Sequence, residues 1–233
     1  MRPAKVSNFS YGCFKYILKV VKSKFQLYMF SDVLSTINAY GHKCILRHEV
    51  DISLKIALQM AEIESKMGVY STYMIMQNSP LYSLRDKVSQ NIIRRMINMG
   101  HQIGLHYYDK KNEHSRSNID DLGAKINYSC KQLEDVTGLP VLSFSFHRPT
   151  SQCLKWPLIL FGRYDAYSKE LMTWYISDSQ GRWGVRDPIA RFSNPDKPLL
   201  QLLIHPIWWG NKHKDPTERL CDFFYEEVKG EII

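Results

Sequence analysis

The run Ile45-Leu46-Arg47-His48-Glu49-Val50-Asp51 constrains this chain more than any other feature. An apolar stretch there delivers an imidazole and two carboxylates to one strand-like end. Three further apolar runs finish in the same way: 102–106 ends at His106, 141–147 at His147, and 200–205 at His205. Short continuous apolar runs read as buried strands, and a fold of parallel strands collects whatever stands at their C-terminal ends into one place. Four such ends carrying His and acid residues predict a single shared site. The donor types are those of a metal-dependent hydrolase.

Helical periodicity separates the runs. Ile56, Met60, Ile63 and Met67 share one face and stop at Gly68. A second helix is expected from about Ser83, as N-cap, through Val88, Ile92, Met96 and Met99 to Gly100. A third carries Ile119, Leu122, Ile126, Cys130 and Leu133 before Gly138, with Asp120 and Asp121 at its positive end. Asp215-Pro216-Thr217-Glu218 reads as an N-cap, a proline at N1 and a glutamate at N3. It opens a helix through Leu220, Phe223, Phe224 and Val228 that Gly230 would end.

Seven strand-like runs lie at 44–50, 70–76, 102–107, 141–147, 164–168, 175–179 and 199–205. The early ones alternate with helices, which argues for parallel β/α units, whereas 150–198 holds short strands, turns and little helix. With 233 residues and no linker composition, we expect one domain over 1–233, residues 1–40 being an N-terminal amphipathic helical extension. Phe14, Ile17, Leu18 and Val21 form its apolar face, with Lys15, Lys19, Lys22 and Lys24 between them. Docking on the core is the first reading of that helix and attachment to an anionic membrane the second.

The excess of 31 basic over 23 acidic residues favours anionic partners in general. There is no helix-turn-helix, zinc-finger or RNA-recognition pattern, so specific nucleic-acid binding is not expected. The phosphate-loop, dinucleotide and nucleophile-elbow motifs are missing too, which removes the usual support for kinase and Rossmann-dehydrogenase readings. Cys13, Cys44, Cys130, Cys153 and Cys221 are odd in number and widely spaced, as suits reduced thiols in a cytosol. No apolar run approaches the roughly 18 residues of a membrane span, so a cytoplasmic protein is expected.

Arg47-His48-Glu49-Val50-Asp51, Gly100-His101-Gln102-Ile103-Gly104-Leu105-His106, Phe146-His147-Arg148-Pro149 and Leu203-Ile204-His205-Pro206 occur in that order. Together they resemble the polysaccharide deacetylases of the NodB-homology, carbohydrate esterase family 4-like class. Tyr175-Ile176-Ser177-Asp178-Ser179 and Pro206-Ile207-Trp208-Trp209 are similar to members associated with bacterial surface-polysaccharide synthesis. The resemblance implies an α/β fold, a distorted seven-stranded (β/α) barrel of TIM-barrel-like form. It also implies one divalent metal, zinc first with cobalt, nickel or manganese as alternatives, held by an aspartate and two histidines. The implied reaction removes an N-acetyl group from an acetamido sugar, polysaccharide or nucleotide-linked.

Carried over by position, Asp51 is the metal-binding acid, His106 the first metal histidine, Glu49 the catalytic base, Arg148 the residue that orients it and His205 the general acid. Two positions depart from the resemblance. Glu49 stands where an aspartate is usual, and its extra methylene moves the carboxylate by on the order of 1 Å, a misplacement that can cost ~10²-fold. That leaves open which of Glu49 and Asp51 binds the metal. The second histidine, four residues after the first, is replaced by Lys110, so His147 is taken as the third ligand, with Asp109 and His114 in reserve. Tyr107, Trp208, Trp209 and Asp178 are the expected substrate contacts, and Tyr108 and Trp183 offer further flat faces for a pyranose. Asp178 also suits a role orienting a histidine or taking a ligand place itself, and His48 and His101 are expected to support the site from behind its ligands or to be structural. The same two departures support an alternative, a catalytically impaired carbohydrate-binding pseudoenzyme.

Overall fold

The computed structural model describes residues 8–109 and 118–231. Eight of its strands run parallel to their neighbours: β1 (Gln26–Tyr28), β2 (Lys43–Val50), β3 (Thr72–Met76), β4 (Gln102–Tyr107), β5 (Ser143–Phe146), β7 (Arg163–Asp165), β8 (Tyr175–Ser177) and β9 (Leu199–Ile204). The short β6 (Ile159–Leu160) lies antiparallel on β7. The order across the sheet is β6-β7-β5-β4-β3-β2-β9-β8, with β1 beside β2. The sheet curls into a half-barrel. Among the described residues no ladder joins β7 to β8. The gap is bridged instead by Gln201 on β9, whose Nε2 donates to the carbonyls of Ala166 (2.9 Å) and Leu171 (3.3 Å).

All seven expected strands are present within a few residues of their predicted bounds. The two unforeseen strands, β1 and β6, span three and two residues, too few for a period to show. β2 is buried from end to end, as a parallel strand covered on both faces must be. Alternation along it sends Ile45, Arg47 and Glu49 inward and Leu46, His48 and Val50 toward the helices. Gly104 on β4 leaves room for its neighbours to fill the bore, because a Cβ there would run into Met74 Sδ and Ser143 Oγ.

The helices are α1 (Tyr11–Lys24), α2 (Val33–Asn38), α3 (Leu54–Lys66), α4 (Lys87–Asn98), α5 (Ile119–Thr137), α6 (Pro188–Ser193) and α7 (Pro216–Glu231). α5 ends as expected: Gly138 takes a left-handed conformation (φ 71°) and its N–H reaches the Glu134 carbonyl. The capping box of α7 is reciprocal, with Glu218 N–H donating to Asp215 Oδ1 (3.0 Å) and Asp215 N–H to Glu218 Oε2 (3.2 Å). That helix continues past Gly230. α4 begins at Lys87 rather than near Ser83, because Ser83 is used in a turn before it, its Oγ accepting from Arg85 N–H.

α1 buries Cys13, Phe14, Ile17, Leu18 and Val21 against α3, α6 and Trp209. Lys15, Lys19, Lys22 and Lys24 stay exposed. Core docking therefore accounts for the apolar face, and no helix among the described residues is long and apolar enough to cross a membrane. The first 40 residues are not helical throughout, since β1 adds a strand to the sheet.

The outer face of the sheet holds one buried charge cluster. Glu64 on α3 is wholly buried; its Oε2 accepts from Ser71 Oγ (2.6 Å) and Tyr73 OH (2.9 Å), and its Oε1 lies 2.7 Å from His48 Nε2. His101 stands 3.7 Å away, its Nε2 3.0 Å from the Ala61 carbonyl. Burial pushes the Glu64 carboxyl up, but His48, His101 and the Ser71 hydroxyl together hold it below its ordinary value. A carboxyl lowered in this way stabilises the fold above its unfolded pKa of about 4.3 and loses that contribution as pH falls through the folded value. Glu64→Gln is therefore expected to cost about 3 kcal/mol at pH 7. The difference from the parent should narrow below pH ~4 in urea midpoints measured across pH. A difference independent of pH would show that the charge is not the source.

Candidate active site

The inward face of β2 raises Arg47 and Glu49 in line, with Asp51 one step beyond the strand, because side chains two apart share a face. Glu49 is buried, and its two oxygens have different neighbours. Oε1 lies 2.9 Å from Arg47 Nη1, accepts from Tyr167 OH at 3.1 Å and stands 3.7 Å from His106 Nδ1. Oε2 lies 3.4 Å from His205 Nε2. Burial alone would raise the carboxyl, but His106, Arg47 and His205 outweigh it and hold the group well below the usual carboxylate range. Glu49 is an anion at neutral pH.

The arginine at this carboxylate is Arg47, not Arg148. Arg47 is wholly buried, its guanidinium 4.4 Å from the centre of the Tyr167 ring. Burial works against its charge, and Tyr167 and Glu49 more than restore it. Arg148 is exposed, on a backbone with φ 56°. The signal for Arg47 was present in the sequence: a cation inside an otherwise apolar stretch, two residues before Glu49 and so on the same face.

Asp51, His106 at the end of β4 and His147 just after β5 meet at one point. His106 Nε2 is 3.0 Å from Asp51 Oδ1 and 3.1 Å from His147 Nδ1, and His147 Nδ1 is 3.9 Å from Asp51 Oδ1. On its far side His106 Nδ1 meets Ser145 Oγ at 2.7 Å. With the ring donating there, the tautomer leaves the Nε2 lone pair facing the group. Asp51 Oδ1 is buried without a hydrogen bond of acceptable geometry, despite the nearby imidazole. Three donor atoms thus face one another within 4.8 Å, and the set fits a divalent cation with three protein ligands and an open position. Burial and His106 push the His147 pKa down, which keeps its ring neutral as a ligand must be. Glu49 lies outside this trio, its Oε1 facing the other nitrogen of His106. Among the described residues Asp109 does not join the group; Lys110 and His114 lie outside the described residues.

His205, just after β9, stands on the opposite side of Glu49. Its Nδ1 and its backbone N–H are each 2.8 Å from Asp178 Oδ1, and Trp209 Nε1 donates to Asp178 Oδ2 at 2.8 Å. Burial would lower the imidazole, but Asp178 and Glu49 together raise it well above its ordinary value. Three of the expected substrate contacts are corrected by burial. Asp178 is fully enclosed and holds His205, Trp209 is 1% exposed and holds Asp178, and Tyr107 packs in the core against Phe146. Trp183 packs against Phe9 and Trp209. Half-buried Tyr108, edge-on to His147 at 5.1 Å, remains at the rim, whereas Trp208 packs against the cluster that holds Trp209, its Nε1 buried.

No family model matches the chain, and no curated protein matches it significantly. Solved structures do. A Streptococcus mutans CE4 esterase superposes with a TM-score of 0.53 at 13% identity, covering 90% of each chain. The Bc1960 peptidoglycan N-acetylglucosamine deacetylase gives 0.52 at 18%, covering 86% of this chain and 91% of that one. A mutant of BA3943, a CE4 family pseudoenzyme from Bacillus anthracis, with restored enzymatic activity gives 0.50 at 14% over 80% of this chain. The present chain spans 63% of the length of that protein. At these identities the likeness establishes architecture: the chain has the fold of the carbohydrate esterase family 4 deacetylases and their pseudoenzyme relatives, a curled α/β half-barrel.

Proposed function

We propose that this chain is a divergent family 4 deacetylase that hydrolyses the N-acetyl group of an acetamido sugar, glycan or nucleotide-linked, as part of polysaccharide biosynthesis. The observation that carries the reading is the convergence of Asp51 Oδ1, His106 Nε2 and His147 Nδ1 within 4.8 Å, next to the facing pair Glu49 and His205. Asp51, His106 and His147 would hold one divalent ion, zinc first. When bound, the ion would supply Lewis acidity and lower the pKa of a water. Glu49, ionised, stands where it can accept a proton from the water that attacks the acetyl carbon. His205, protonated at Nε2, gives a proton to the sugar nitrogen as the C–N bond breaks, so acetate and a free amine leave. Asp178 holds the His205 ring by Nδ1. Tyr108 at the rim suits the flat face of a pyranose. A cytoplasmic place belongs to the same reading, supported by five unpaired cysteines, four of them buried.

Acid and base stand in their working forms together because their surroundings push them apart: Glu49 is held low and His205 high. Asp178→Asn removes the largest influence raising His205. NMR titration should show its imidazole pKa moving down, with the basic limb of the rate profile moving down alongside it. The sign follows from linkage. A raised imidazole stabilises the fold below its unfolded pKa and loses that contribution as pH rises through the folded one, so the variant is also less stable at neutral pH. An unmoved titration would remove Asp178 from this role.

The reading as a whole is tested by metal analysis and acetate release. Asp51→Ala, His106→Ala and His147→Ala should each lose a stoichiometric ion, and with it acetate release from N-acetylated oligosaccharides or nucleotide-linked acetamido sugars. Hydrolysis retained in the first two variants would sink the assignment, and full metal affinity in the third would remove His147 as a ligand. A parent chain that binds such sugars with neither metal nor turnover would instead be a pseudoenzyme.

A further inference from the structure

The substitution of glutamate for the usual aspartate leaves a physical problem, since the longer side chain has one more rotatable bond and a carboxylate displaced from the shorter one's place. The surroundings of Glu49 answer it. Oε1 alone is held, by an ion-pair contact with Arg47 Nη1 at 2.9 Å that lacks hydrogen-bond geometry and by the Tyr167 OH, which donates to it at 3.1 Å, while Oε2 is left toward His205. Both holding groups are enclosed. Arg47 is completely buried and lies over the Tyr167 ring at 4.4 Å, and the Tyr167 backbone N–H is tied to Asp165 Oδ1 at 2.9 Å. Arg47 rises from the same strand two residues before Glu49, so it reaches the carboxylate from deeper in the bore.

We infer that Arg47 and Tyr167 form a fixed clamp matched to a glutamate at position 49, seating one carboxylate oxygen so that the other serves as the base. This rests on the deacetylase reading of the site. Both clamp residues are positioning residues, acting through Glu49 rather than on the substrate. An aspartate at position 49 would end on the order of 1 Å short of a receptor that cannot follow it, a displacement of the size that costs ~10²-fold in turnover. The site is therefore tuned to the longer acid.

The test is a pair of double-mutant cycles on the full chain. With the clamp intact, Glu49→Asp should lower kcat ~10²-fold with KM little changed. In the Tyr167→Phe background, which keeps the ring and removes only the hydroxyl, and in the Arg47→Lys background, which keeps the charge and removes the planar fork, the same change should cost clearly less. Glu49→Asp at parental turnover, or losses that simply multiply, would overturn the clamp. So would Arg148→Ala reducing kcat as far as Arg47→Lys. A third cycle, Tyr167→Phe with Glu49→Gln by urea denaturation, reads the contact without any turnover. Coupling is expected, and strict additivity would overturn the clamp. A metal-loaded parent chain that releases no acetate would overturn the deacetylase reading, and the urea cycle would still decide whether the clamp exists.

Discussion

Two carboxylates two residues apart, Glu49 and Asp51, stand at the end of one strand, Glu49 buried and Asp51 half-buried; burial and the charge of Glu49 push the Asp51 carboxyl up, and His106 and His205 hold it below its ordinary value. Like charges so placed would take up a proton unless cations compensate. The rest of the site supplies them. Arg47 meets Glu49 from below and the raised imidazole of His205 meets it from the side. Asp51 is left with His106, whose Nδ1 is committed to Ser145, and with His147, whose pKa is pushed down. A divalent ion among Asp51, His106 and His147 would complete the balance where protein cations stop. Strand order, the curl of the sheet and the loops after β8 and β9 all serve to bring these charges together.

On the proposed reading, the same geometry would supply a third donor without the usual second histidine. Register pairs His106 on β4 with Ser145 on β5, and the backbone N–H of His147 continues the ladder to the Tyr107 carbonyl. His147 is two residues beyond Ser145, so it returns to the same face and carries its ring over the end of the barrel beside His106. On the proposed reading, a donor that the loop after His106 provides in the resembled family would come here from the residue that follows the neighbouring strand β5.

Much of this was legible in the sequence because burial and periodicity leave marks there. Buried parallel strands read as apolar runs, and the residues that end them, Asp51, His106, His147 and His205, were visible as a set. What the sequence hid were partners chosen by packing. An arginine carried over by motif, Arg148, stands exposed while Arg47, two residues from its target, does the pairing, and only the alternation of β2 distinguishes them. Flat aromatic residues near a site read as sugar platforms, yet Tyr107 and Trp209 are spent on the core, since an aromatic ring buries equally well in either place. Glu64 could not be matched to His48 from the sequence, because helix α3 and strand β2 meet only through the fold.

The two charge clusters also bear on one another through β2. Inward, Arg47 and Glu49 belong to the site; outward, His48 belongs to the Glu64 cluster, whose other members come from α3, β3 and the residue before β4. A slip of one residue would turn every side chain to the opposite face, sending Arg47 and Glu49 among the helices and His48 into the bore. An ordinary amphipathic strand resists such a slip through apolar burial alone. In β2 a slip would leave charged groups unpaired on both faces at once, and a buried charge without its partner is among the costliest defects a fold can carry. The outer cluster thus acts on the site without touching it, by making one register of β2 far better than its neighbours and fixing the level at which Glu49 and Asp51 emerge.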